Sequence, residues 1–153
     1  MNNRLEIVRA KIDELVNELE RSKRRYFFTH LYGVSHFGAL LAVRRGADAE
    51  IASICGMLHD IYPVITGSYE DHAIKGVPEA ERILKSTGLF SDDEIGIVAS
   101  AVSRHSDKGN TDEVYDEILK DADVLHHCLY NPGFPVQIHE KKRYDNLLTE
   151  LGC

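Results

Sequence analysis

The sequence predicts an all-α fold in a single domain. Apolar residues recur at steps of three and four along most of the chain, and no segment alternates apolar and polar residues as a strand would. The 153 residues suffice for one ordinary domain, and 43% apolar with 28% charged residues is typical of globular proteins. We therefore expect residues 1–153 to form one helical bundle.

Three helices are predicted in the N-terminal half. The first carries its apolar residues on one face: Leu5, Val8, Ile12, Leu15 and Leu19. The second covers roughly residues 30–45 and ends at Gly46, because glycine is favoured where a helix stops. Asp48 is expected to cap the third helix, and Pro63 is expected to end it.

The C-terminal half is predicted to contain four further helices. One includes residues 79–85 and ends at Gly88. The next begins with the capping-box sequence Ser-Asp-Asp-Glu at residues 91–94. Thr111 is expected to cap another helix, and the turn-forming residues 131–135 separate it from a short final helix.

Composition excludes several classes of function. With 18 Lys and Arg against 25 Asp and Glu, the net charge of −7 provides no general attraction for nucleic acid, and no segment is apolar enough to cross a membrane. Cys55, Cys128 and Cys153 have no CxxC spacing and are expected to be free thiols in a reducing compartment. We therefore expect a cytoplasmic protein.

Several side chains with metal-ligating atoms fall at inward helix positions: His36, His59, Asp60, His105 and Asp123. His105, for example, comes three residues after Val102, on the apolar stripe of its helix. Burying several such groups without partners would cost several kcal/mol in total, on the order of 1–3 kcal/mol each, and a shared metal ion would satisfy them together. The alternative is that each histidine is hydrogen-bonded in the core, the commoner role of a single inward histidine.

The order of these residues along the chain favours the metal site. With His72 included, the series H…HD…H…H…D lies on successive predicted helices and supplies only nitrogen and oxygen ligands. Such ligands suit iron, manganese, nickel or cobalt better than a structural zinc site, which usually contains cysteine. We expect one or two divalent transition-metal ions, with iron first and Mn, Ni, Co or Zn as alternatives.

This series resembles the HD-domain metal-dependent phosphohydrolase superfamily over about residues 26–128. The segments that carry the resemblance are THLYGVSHFGALLAVRRGADAEIASICGMLHDIY, DHAIKGVPEAERIL, IVASAVSRHS and ILKDADVLHH. A looser resemblance is to the binuclear branch that includes HD-type symmetrical diadenosine tetraphosphate hydrolases, with their di-iron centres. The resemblance implies the following ligands: His36, His59, Asp60 and Asp123 for a first metal, and His72 and His105 for a second.

The implied reaction is hydrolysis of a phosphate ester or pyrophosphate bond by a metal-activated water. The substrate would be a nucleotide or another small phosphorylated metabolite. Asp60 is expected to bridge two ions because it lies between the two ligand groups in the series. If one ion binds, His72 or His105 would act as general acid or contact the phosphate.

Two departures from the family pattern concern substrate recognition. Many relatives continue His-Asp with Ile-Gly-Lys, whereas Tyr62 and Pro63 stand here in place of Gly-Lys, so that lysine is missing. In the last motif, relatives often show Lys or Arg after the Asp, whereas Val124 follows Asp123 here. Asp123 is the better match to the ligand in that motif, and Asp121 is its rival. The local candidates for phosphate binding are Lys75, Arg104 and Lys108. The alternative for each of them is an ordinary solvated surface charge.

Other histidines and other functions remain open from the sequence alone. His30 and His139 are expected on solvated faces, while His126 and His127 are expected to pack or to orient Asp123. A domain that binds a metal or a nucleotide without turnover is one alternative function, and a di-iron oxygenase is another. The apolar stripe of the first helix could pack against other helices of the domain or against a second copy of the chain in a homodimer, and the sequence does not distinguish the two.

Overall fold

Eight helices make up the computed structural model, which describes residues 3–153. They are α1 (Arg4–Asn17), α2 (Arg21–Arg45), α3 (Ala49–Leu58), α4 (Ile61–Thr66), α5 (His72–Thr87), α6 (Asp92–Arg104), α7 (Val114–Tyr130) and α8 (Ile138–Leu151). No strand occurs among these residues, and one continuous apolar core joins helices from both ends of the chain. The prediction of a single all-α domain is confirmed.

The long helix α2 lies at the centre of the bundle and packs against α3 and α7. Its first residue is Arg21, nine residues before the predicted start. The additional turns bury Phe27, which together with His30 continues the stripe that Val34 and Leu41 form farther along the helix. His30 therefore lies on the buried face within α2 instead of at the beginning of the helix.

Several predicted helix ends are confirmed. Gly46 and Gly88 end α2 and α5 in the left-handed conformation, with φ of 71° and 66°. At the start of α6 the Ser91 hydroxyl accepts from the Glu94 backbone N–H, and the Glu94 carboxylate accepts from the Ser91 N–H. Asp48 caps α3 as expected, accepting from two backbone N–H groups.

Two boundaries differ from the prediction. Pro63 does not end α3; that helix ends at Leu58, and Pro63 lies in the first turn of α4, where the missing N–H of proline costs no hydrogen bond. The cap of α7 is Glu113 instead of Thr111. The break between α3 and α4 matters for the site, because it falls at the His-Asp pair.

The remaining expectations from composition concern membranes and thiols. None of the helices in residues 3–153 is long and apolar enough to span a membrane. Cys55 and Cys128 are buried free thiols, and Cys153 is an exposed one. The prediction of free thiols is confirmed.

Candidate metal centre

Six helices bring a cluster of imidazoles and carboxylates to one cleft of about 230 Å³. The cluster contains His30 from α2, His59 at the end of α3, Asp60 at the start of α4, His72 at the start of α5, His105 at the end of α6, and Asp123 from α7. All of these except His72, which is partly exposed, are buried. Most of them lie at helix ends, so the site depends on where the helices stop.

The two carboxylate oxygens of Asp60 face two different pairs of histidines. Its Oδ2 atom lies 3.3 Å from Nε2 of His30 and 3.5 Å from Nε2 of His59. Its Oδ1 atom lies 3.3 Å from Nε2 of His72 and 3.4 Å from Nε2 of His105. Asp60 is therefore shared by two groups of ligating atoms.

Asp123 completes the first of these groups. Its Oδ1 atom lies 3.5 Å from Nε2 of His30 and 3.7 Å from Nε2 of His59. Its Oδ2 atom accepts a hydrogen bond of 2.6 Å from the Lys108 ammonium, which also donates to the carbonyl of His105. The first group thus has two histidines and two carboxylates, and the second has two histidines and the shared Asp60.

The protein fixes the orientation of these imidazoles through the nitrogen that points away from the cluster. Nδ1 of His59 is 2.8 Å from the Gly56 carbonyl, and the corresponding distances are 2.9 Å for His72 to Tyr69 and 2.7 Å for His105 to Val102. A carbonyl oxygen only accepts hydrogen bonds, so each Nδ1 carries the proton and each Nε2 presents a lone pair to the cluster. This arrangement is typical of metal-ligating histidines.

Two carboxylate oxygens at the centre of the cluster lack a hydrogen-bond partner among the described residues. They are Oδ1 of Asp60 and Oδ1 of Asp123, both buried. An unpaired carboxylate oxygen in the interior is costly, and a divalent cation would offset that cost. The residues present therefore fit a metal centre.

The protonation states of the cluster also fit a metal centre. Burial lowers the pKa of His59 to about 3, which keeps its imidazole neutral at physiological pH. Burial opposes ionisation of Asp123, but Lys108 and His59 hold the pKa of its carboxyl below the usual value. Burial likewise opposes ionisation of Asp60, and the surrounding imidazoles hold its pKa well below the usual value. Two carboxylates and neutral imidazoles are the forms that bind a cation.

His36 does not join this cluster, which corrects the ligand set expected from the sequence. Its side chain is exposed on α2 and belongs to none of the groups able to hold an ion. His30 occupies the expected position instead, although the sequence predicted it on a solvated face. The signal that identifies it is its spacing, three residues after Phe27 and four before Val34, on the buried stripe of α2.

Of the two rival carboxylates in the last motif, Asp123 belongs to the cluster and Asp121 lies outside it. Its carboxylate pairs with Arg45 at 2.7 Å and with Arg143 at 2.9 Å. The ion pairs tie α7 to α2 and α8, so the role of Asp121 is structural.

A further pair, His127 and Glu140, extends the cluster toward α8. Nε2 of His127 lies 3.3 Å from Oδ1 of Asp123, and its Nδ1 lies 2.7 Å from the buried carboxylate of Glu140. The Glu140 hydrogen bond raises the pKa of His127 despite its burial. The spacing to Asp123 made His127, like His126, a candidate for this contact, but nothing in the sequence indicated that Glu140 would reach it from α8.

The three candidate phosphate-binding residues lie in different places. Lys108 lines the cleft, whereas Lys75 and Arg104 do not. Lys75 lies near Glu70 and Asp71 outside the cleft, and Arg104 pairs with Asp112 at the start of α7. The positions of Lys75 and Arg104 are corrections to the sequence-based expectation, because both side chains turn toward nearby carboxylates.

Comparison with known proteins identifies the family and the fold. Residues 27–127 match the HD domain family model. The fold is similar to the crystal structure of a protein described as a predicted HD superfamily hydrolase, from an uncultured Thermotogales bacterium. That similarity has a TM-score of 0.61 at 22% identity and covers 94% of this chain and 88% of the other. No curated protein matches the chain.

Proposed function

Because the chain belongs to the HD domain family, we propose that it is a metal-dependent phosphohydrolase. Its substrate would be a nucleotide or another small phosphorylated metabolite, cleaved at a phosphate ester or pyrophosphate bond. The observation that carries this proposal is the position of Asp60, which directs one oxygen to each of two histidine pairs. Such a shared carboxylate supports two ions side by side.

The proposed ligands follow from the two groups. His30, His59, Asp60 and Asp123 would hold one ion, and Asp60, His72 and His105 would hold the other. When bound, divalent ions of this kind supply an activated water near neutral pH and neutralise phosphate oxygens. Iron remains the first expectation for this nitrogen and oxygen set, with Mn, Ni, Co and Zn as alternatives.

The chain itself orients the histidine ligands and supplies a positive charge for the phosphate. The backbone carbonyls behind His59, His72 and His105 keep three Nε2 atoms directed into the cleft. The Lys108 ammonium lies beside Asp123 and is the cation in the cleft that would bind a phosphate oxygen. Lys108 thereby takes the role that the missing lysine after the His-Asp pair would have had.

The test combines metal content with hydrolysis. We expect up to two transition-metal ions per chain in the purified protein and release of nitrophenol from bis(p-nitrophenyl) phosphate with added Mn, Co or Ni. The variants His59→Ala and Asp60→Ala should lose metal and at least a hundredfold of the activity, because each removes a ligand. The matched control is His36→Ala, which removes an exposed histidine of α2 and should leave both measurements unchanged.

The outcomes separate the alternative functions. Full activity in Asp60→Ala would contradict the mechanism, and absence of metal after reconstitution would contradict the site. Metal without release of product from any phosphate ester would indicate a binding domain. Oxygen consumption by an iron-loaded protein, with no hydrolysis, would indicate an oxygenase.

A further inference from the structure

The exposed aromatic side chains of this protein are all on one face. In residues 3–153 four aromatic residues count among the exposed large side chains, namely Tyr26, Tyr69, Tyr130 and Phe134. Each of them lines either the metal cleft or a second cavity of about 380 Å³ beside it. Aromatic rings exposed to water on one face are a feature of ligand-binding surfaces.

The second cavity, which we call the aromatic pocket, lies between the start of α2, the end of α7, and residues 131–140. Tyr26 forms one wall, and Tyr130 with Phe134 forms another. Tyr130 lies stacked on His126, with ring centroids 5.5 Å apart and planes inclined by 26°. Its walls therefore offer aromatic rings, and the Glu140 carboxylate and His127 lie among the residues that the pocket shares with the metal cleft.

The aromatic pocket adjoins the metal cleft and shares part of its lining. The residues that line both cavities are Tyr26, His127, His139 and Glu140. His30, which belongs to the first ligand group, also lines the aromatic pocket. A molecule with its phosphate in the cleft would thus have its other end directed at the aromatic walls.

Much of this pocket comes from outside the part of the chain that matches the family. The match ends at residue 127, whereas Tyr130, Phe134 and Glu140 lie beyond it. The segment from residue 128 to residue 140 therefore supplies much of the aromatic pocket.

We propose that the aromatic pocket binds a planar aromatic group, such as a nucleobase, that is attached to the phosphate in the metal cleft. The inference rests on the proposed function, and it assigns Phe134 and Tyr130 as specificity-determining residues. Stacking on aromatic side chains accepts any base, because every base has a π-face. The volume of the pocket, about 380 Å³, suits such a group, and the imidazoles and the Glu140 carboxylate in its lining could hydrogen-bond the polar edge of a base.

The decisive comparison uses two esters that differ only in the base, adenosine 5′-monophosphate and ribose 5-phosphate. We expect kcat/KM to be higher for the nucleotide by about 5- to 150-fold, the range expected from one base-stacking contact. Phe134→Ala and Tyr130→Ala should each reduce this preference, because they raise KM for the nucleotide more than KM for ribose 5-phosphate. The control is Leu40→Ala, which truncates an exposed apolar side chain of α2 outside both cavities.

A binding measurement keeps the inference separate from the proposed function. The measurement is saturation-transfer NMR on the protein in zinc-containing buffer, with adenosine as the probe. We expect magnetisation to be transferred from the protein to the protons of the base, and we expect Phe134→Ala to reduce this transfer. If neither ester is hydrolysed but this transfer is seen, the proposed activity on these esters fails and the aromatic pocket stands. Equal kcat/KM for the two esters, or transfer that is absent or unaffected by Phe134→Ala, would overturn the inference. So would a wild-type dimer that Phe134→Ala dissociates in sedimentation velocity, because the aromatic face would then be an interface between two copies.

Discussion

Lys108 combines burial, charge and position in a way that no other lysine near the metal centre does. Its side chain is 6% exposed, and its ammonium lies 2.6 Å from a carboxylate of the first ligand group. We expect Lys108→Met to lower kcat/KM for a phosphate ester by about 10- to 100-fold, because a charge-assisted hydrogen bond to a phosphate oxygen contributes roughly 1.5–3 kcal/mol. Steady-state kinetics measures this loss.

The control for that variant is Lys75→Met. Lys75 lies near Glu70 and Asp71 outside the cleft, so its removal should change kcat/KM by less than about twofold. Metal content should remain the same in both variants. Loss of metal from Lys108→Met would show that the lysine acts by holding Asp123 in place, and equal kinetics in the two variants would exclude Lys108 from phosphate binding.

Single residues of the site were predictable where helical spacing decides their burial. His105 was correctly expected in the interior because it lies three residues after Val102. The same argument identifies His30, but the polar residues before it obscure the beginning of α2, so the predicted helix begins too late to include Phe27 on its stripe. His36 lies two residues after Val34, a spacing that puts it on another face.

At the scale of the helices, the close packing of α2 on α3 determines where the first ligand group lies. Gly56 of α3 approaches the backbone of α2 so closely that an added Cβ would lie 2.5 Å from Ser35 Cα. We expect Gly56→Ala to lower the free energy of unfolding by about 1–3 kcal/mol, because α2 and α3 must move apart. It should also reduce metal affinity, since the two helices carry His30 and His59. Denaturant unfolding and metal titration measure the two effects.

The matched substitution is Gly96→Ala in α6. No atom lies within 4 Å of the position of a Cβ at residue 96. The only effect should be the gain in helix propensity, which raises the free energy of unfolding by about 0.5–1 kcal/mol. A similar response of both glycines would refute the argument from close packing.

Helix ends with strong local signals were predictable, whereas those that depend on distant contacts were not. Gly46, Gly88 and the capping box at Ser91 act within one turn of the chain, and all three end or begin helices as expected. The start of α2 depends on burial of Phe27 against other helices, and Glu140 meets His127 only because α8 folds back on α7. Contacts between residues so far apart in the sequence cannot be predicted from a local sequence pattern.

For the whole molecule, the ligand set ties metal binding to global stability. The six proposed ligands come from six different helices or their ends, so ions that bind all of them oppose separation of most of the bundle. At a free metal concentration about 1,000 times Kd, binding to the native state alone adds about 4 kcal/mol of stability. For a chain of this size, that gain corresponds to a rise in Tm of about 8–16 °C.

The buried thiol of Cys55 in α3 reports whether this stabilisation is global. Burial raises its pKa to about 12, so it reacts with a disulfide reagent only when the bundle opens. In a Cys128→Ser, Cys153→Ser background we expect metal to slow labelling of Cys55 by up to about 1,000-fold, in proportion to the reduced open population. Asp60→Ala should show neither the slower labelling nor the higher Tm. If metal raised Tm without slowing the labelling, Cys55 would become accessible through a local opening that the ligands do not restrain.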